Sequence, residues 1–125
     1  MGKDLVNTVG TFVHDNLFAG GVQNVVTRSI TLATGATYVR GTVLGIVTAS
    51  GEATIVDSDA VNGSEKPYAI LQEDVDATEE ARPGAIYLTG EFNQGALTFG
   101  GTDTADTHSR ALRDIGIFLK SNQEA

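Results

Sequence analysis

Apolar positions recur every second residue along most of this chain, and the period changes once, near the C-terminus. From Val25, "VVTRSITLA" places Val26, Arg28, Ile30 and Leu32 on one face and Val25, Thr27, Ser29 and Thr31 on the other, which predicts a strand. "TGAT" then turns the chain into a second run, "YVRGTVLGIVTA", interrupted by Gly41 and Gly45 and closed by a turn at Ser50-Gly51. "EATIVDSD" predicts a third short strand, and "AVNGSEKP", with its Asn62-Gly63 pair, supplies loop residues. "YAILQEDV" reads as a fourth strand, "GAIYLTGEFN" as a fifth after Arg82-Pro83-Gly84, and "ALTF" offers one more. Glycines inside such runs mark a bulge or a close backbone approach.

In "GGTDTADTHSRALRDIGIFLK" the alternation stops. Thr104 or Thr107 is a helix-start residue, Ala105, Leu112 and Ile115 form the expected buried stripe, and Gly116 stands where a helix ends. "IFLK" is expected as a last strand. The expectation is a mainly β body with one short C-terminal helix.

The first 20 residues differ from the rest. "KDLVNTVGTFVHDNLFAGG" is β-competent but marks no buried face, and it ends in a Gly20-Gly21 joint. It reads as an extended N-terminal arm over residues 1–20, followed by a β-rich domain over 21–125. Extended, some ~20 residues reach roughly 60–70 Å, far beyond a body whose radius of gyration is about 14 Å. A frayed tail or an ordinary first strand is the alternative.

Composition narrows the functional classes. A chain of 125 residues suggests one domain, and the absence of cysteine excludes disulfides, thiolate metal sites and thiol catalysis. Fifteen glycines against two prolines suit short strands and tight turns. The net charge of −8, with eight scattered basic residues, argues against nucleic acid as a partner, since binding requires Lys and Arg to displace phosphate counterions. No apolar run approaches a transmembrane length, and "MGKDLVNTVG" lacks both a secretory core and the myristoylation pattern. The expectation is a soluble protein that stays where it is made, with no membrane partner.

The densest chemistry lies in "ILQEDVDATEEARPGAIYLTGEF", which holds Glu73, Asp74, Asp76, Glu79, Glu80 and Glu91. Laid on the calcium-loop template, Asp74 and Asp76 fill positions one and three. Thr78, Glu79 and Ala85 then stand where a ligand, the turn glycine and the bidentate Glu belong. A catalytic pair needs convergence in a pocket and diverging pKa values, so a solvated turn between strands is the simpler reading. His14 and His108 have no second histidine at ligand spacing, and His108, ahead of the helix, suits a polar surface role. No nucleophile elbow surrounds any serine, and "GTVLG" is not a nucleotide loop. No catalytic, metal or cofactor-binding residue is therefore assigned, and the chain is read as no enzyme.

Four segments in order resemble the lambda-type bacteriophage head decoration proteins: "VTRSITLATGATYVRGTVLGIVTASGE", "YAILQEDVDAT", "GAIYLTGEFNQGALTF" and "ALRDIGIFLK", together spanning about residues 17 to 120. The resemblance implies a structural, non-enzymatic virion protein with a compact, β-clip-like body. It implies a homotrimer that sits on local three-fold positions outside the expanded head and clamps the major capsid protein against packaged DNA. It also implies synthesis in the host cytoplasm and an N-terminal arm that adds a strand to capsid-protein β structure. On this chain the arm's expected contact residues are Leu5, Val6, Val9, Thr11, Phe12 and Val13. The arm is longer and more apolar than the shortest family members need, so its path can differ, for instance by crossing to a sister subunit. Two other readings stay open: an enzyme or ligand-binding β domain with a dispersed acidic site at Asp74, Asp76 and Glu91, or another virion module such as a tail or fibre part.

Overall fold

The computed structural model describes residues 26–120. Nine strands and one helix follow in order: β1 (Thr27–Leu32), β2 (Ala36–Tyr38), β3 (Val43–Ile46), β4 (Ala53–Ile55), β5 (Ala69–Leu71), β6 (Val75–Ala77), β7 (Arg82–Tyr87), β8 (Gly90–Asn93), α1 (Ala105–Asp114) and β9 (Ile117–Lys120). The mainly β fold with one short helix near the C-terminus is the expected one. The expected arm over residues 1–20, with Leu5, Val6, Val9, Thr11, Phe12 and Val13, lies outside the described residues.

Five strands close a barrel in the order β1-β4-β3-β5-β7, sealed by a single parallel pair, Leu32 with Ala53. Two smaller sheets cover it: antiparallel β2–β6 and parallel β8–β9. Successive strand residues point to opposite faces, and on β3 and β5 both faces are apolar. Leu44 and Leu71 join Leu32, Tyr38, Val75 and Ile86 in one core, which β2 and β6 help to complete. Their neighbours Val43 and Ile70 turn outward into a second core with Val56, Phe92, Leu112 and Ile117, beneath β8, β9 and α1. Strands apolar on both faces are those covered on both sides.

Several expected strands are shorter or divided. The run from Tyr38 breaks at Gly41, whose φ of +93° makes a turn between β2 and β3. Gly45 is a close approach, since a Cβ there would lie 2.5 Å from the Ser64 carbonyl oxygen. "YAILQEDV" divides into β5 and β6, which pair with different partners. "GAIYLTGEFN" divides at Gly90, where φ is +146°. "ALTF" forms no strand, contributing instead the bridge from Thr98 to Thr42.

Arg82-Pro83-Gly84, expected to precede the fifth strand, opens β7. The Leu88 N–H donates to the Val26 carbonyl at 2.6 Å, so even-numbered β1 residues exchange hydrogen bonds with β7. Pro83 faces odd-numbered Thr31, where its missing N–H costs the ladder nothing.

Helix α1 starts from Thr104, whose N–H donates to the Thr107 hydroxyl at 3.0 Å. Gly116, with φ of +93°, follows its C-cap as expected. The buried stripe differs from the expected one: Leu112 is buried and Ala105 half-buried, but Ile115 is 39% exposed. Ile115 has already left helical geometry, and His108, one turn before Leu112, takes the buried place.

Candidate functional site

The acidic stretch is partly strand. Val75 and Ala77 are buried in β6, so the carboxylates between and beside them point outward. Most serve backbone groups nearby. Asp74 accepts the Arg40 N–H at 2.8 Å and Glu73 the Ala85 N–H at 3.2 Å. Asp76 takes both the Thr78 N–H (3.1 Å) and its hydroxyl (2.7 Å). That hydroxyl, first among the causes, holds the Asp76 carboxyl below the usual carboxylate range. Glu80 meets Arg82 at 3.1 Å on the open surface.

Asp74 and Asp76 line one shallow hollow, with Arg82 in it. Glu91 stands on β8, 3.7 Å from Lys120, in a different hollow against α1. The three carboxylates of the dispersed acidic site are thus not brought together. Among the described residues no group of three His, Asp or Glu side chains is placed to hold a metal ion. No helix among them is long and apolar enough to cross a membrane.

The most connected carboxylate is one that the sequence pattern passes over. Asp103, just before α1, accepts the Ser58 N–H at 2.7 Å, the Ser58 hydroxyl at 2.6 Å and His108 Nε2 at 2.7 Å. The Asp103 and His108 side chains are 5% and 4% exposed. His108 also stacks on Phe99, ring centres 5.7 Å apart and planes within 8°. The surface role expected for His108 is therefore replaced by a buried one inside the helix.

Ser, Asp and His side by side invite comparison with a hydrolase triad, and the connectivity answers it. A nucleophilic serine must give its proton to the imidazole, which the carboxylate orients from behind. Here the carboxylate sits in the middle, so the Ser58 hydroxyl donates to Asp103 and not to His108. The arrangement is a clasp tying the loop after β4 to the start of α1.

Between α1 and the β8–β9 ribbon lies an open hollow of about 620 Å³, lined by Arg110, Arg113, Phe118 and Lys120 among others. Strand alternation explains Phe118: Ile117 enters the outer core, so its neighbour faces out at 43% exposure. Arg110 and Arg113, three apart on the helix, share a face. This hollow was not expected from sequence. The available signal was Phe118, which "IFLK" alternation places opposite Ile117.

The described residues thus form a closed β body with a small helix-and-ribbon cap. The sequence model of the bacteriophage lambda head decoration protein D family matches residues 6–117. The match takes in nearly the whole chain, and the chain belongs to that family. It is accordingly a structural phage capsid protein of the decoration type, directed to the outer surface of the virion capsid, and its family is not a known enzyme family. A comparison with curated proteins finds no match.

Proposed function

We propose that this protein cements the expanded phage head. Three copies form a trimer that sits on the outside of the shell at local three-fold positions. There it links neighbouring major capsid proteins and resists the pressure of packaged DNA. The observation that carries the reading is the family match over residues 6–117, which takes in residues 6–20 of the expected arm as well as the body.

The arm supplies the attachment. An extended segment adding a strand to the capsid protein gains affinity from main-chain hydrogen bonds and specificity from alternate side chains. Val6, Val9, Thr11, Phe12 and Val13, with Leu5 before them, are the contact residues. Ordering each arm costs entropy. Three arms on one trimer engage multivalently, so the second and third bind at high effective concentration. The barrel, apolar within and closed, serves as the rigid hub from which the arms extend.

The test is to titrate purified protein onto expanded, undecorated capsids and count bound copies. Saturable binding in multiples of three, with raised resistance of the shell to heat, is the expected result. Absence of saturable binding would sink the reading. Deleting residues 1–16 should leave the oligomer intact and remove most capsid binding, and a truncated protein that binds normally would refute the arm's role.

A further inference from the structure

Two surface patches combine exposed apolar side chains with charge, one carrying Arg110, Arg113 and Lys120 against Glu91 and Asp106, the other mostly acidic, and they lie over different cores. The first belongs to α1 and β9, which cover the outer core: Phe118, 43% exposed, lines one hollow with Arg110 and Arg113. Neither arginine has a carboxylate partner among the described residues. The second lies around β6 and the β2–β3 turn, over the barrel core. Val39, 45% exposed, adjoins Arg40, whose N–H is held by Asp74. From Glu73 to Glu80 that edge carries five carboxylates, against Arg82, which pairs with Glu80, and Arg40 beside Asp74.

Three points join these patches. A chain of net charge −8 repels its own copies, so self-association needs a local reversal of sign where they touch. In a ring of like subunits every contact is heterologous, one patch of each copy meeting a different patch of the next. Arginine and aromatic side chains are both enriched at interfaces, and guanidinium pairs with carboxylate through paired, charge-assisted bonds.

We propose that the Phe118–Arg113 face of one copy docks on the Val39–Asp74 face of the next, and that this contact closes the trimer. The inference rests on the trimeric reading above and identifies the surfaces that make it. Phe118 and Val39 supply the apolar contact. Arg110 and Arg113 neutralise the acidic edge, which otherwise meets another negative surface.

Charge reversal tests it by sedimentation of the full-length chain. Arg110→Glu with Arg113→Glu, or Glu79→Lys with Glu80→Lys (carboxylates that hold no backbone N–H here), should each turn the trimer into monomer, with the far-ultraviolet circular dichroism of the wild type retained. Combining all four substitutions in one chain should restore the trimer, which a merely misfolded variant cannot do. Phe118→Ser should weaken assembly at least about tenfold in dissociation constant without touching any charge. A wild-type chain that sediments as a monomer overturns the trimeric reading itself. A wild-type trimer whose reversed variants stay trimeric overturns only the docking contact. Reversed variants that stay trimeric but no longer bind capsids would assign this face to the capsid protein, again overturning it.

Discussion

The acidic edge around β6 and the single carboxylate of Asp103 show two uses of negative charge in one small protein. The edge concentrates five carboxylates in eight residues, all of them exposed. Two of its members bond within two residues, Asp76 to Thr78 and Glu80 to Arg82, and Glu73 and Asp74 accept the Ala85 and Arg40 N–H groups at the exposed surface. Asp103 stands apart from any charge run, is nearly inaccessible, and joins segments 45 residues apart in sequence. Water screens the first group and strips each bond of most of its worth, whereas burial makes the second indispensable to its partners. Density of charge in a sequence therefore says little about where a fold depends on charge.

The largest effect should come from breaking the clasp. Asp103→Ala removes the acceptor of three hydrogen bonds and leaves the Ser58 N–H and hydroxyl and the His108 ring without it. Deleting this acceptor costs about 2 kcal/mol, mostly because the buried His108 ring is left without it, while water reaches the exposed Ser58 groups. Urea denaturation at fixed protein concentration, which removes the mass-action contribution of assembly, reads this directly. A loss no larger than that from a surface carboxylate would mean that water satisfies the orphaned groups and that the two regions do not differ.

Acid titration sharpens the contrast. The Ser58 hydroxyl, above all, holds the Asp103 carboxyl below the usual range; burial works against it, and His108 and the Ser58 N–H add to the lowering. The folded value thus lies below the unfolded one, so the unfolded chain takes up its proton first as pH falls. The stability from this group is complete above the unfolded value of about 4 and disappears as pH drops through the depressed folded value. Wild type and Asp103→Asn, which keeps the shape but cannot ionise, should run parallel above about pH 5. Below that the wild-type urea midpoint should fall more steeply. Asp76 and Glu65, lowered in the same direction, contribute to both curves equally.

What the sequence announced and what it hid divide along a physical line. Thr104 and Gly116 were legible because helix ends need particular chemistry at one position: a hydroxyl partner at the start, a residue tolerant of positive φ at the end. Gly45 was legible as a close approach because few other causes put glycine inside an apolar strand. The division of "YAILQEDV" falls at the polar Gln72-Glu73-Asp74, but the change of pairing partner from barrel to β2 was hidden. Period encodes which face a side chain takes, not which strand lies beside it. His108 was hidden for a related reason: its burial depends on Asp103 and Phe99 meeting it in space. Among candidate sites, the acidic edge stood out by composition, but the Arg113–Phe118 face did not, since a helix and the following strand build it jointly.

The smallest effect should fall on the acidic edge itself, through Asp74→Ala. Asp74 ties into the fold by accepting the Arg40 N–H at 2.8 Å across the turn between β2 and β3. Arg40 has a second anchor, its guanidinium donating to the Gln72 carbonyl at 2.6 Å, so the turn keeps a tie to the same segment when the carboxylate is gone. Both ends of the lost bond lie where water can replace Asp74, and the change should cost under about 1 kcal/mol. The same substitution lowers the charge of the edge that is proposed to face Arg113, so sedimentation at dilute protein should respond more than the urea midpoint does. An Asp74→Ala chain that unfolds as easily as Asp103→Ala would make the carboxylate a structural pin of the turn, and its exposure would then be no guide to its worth.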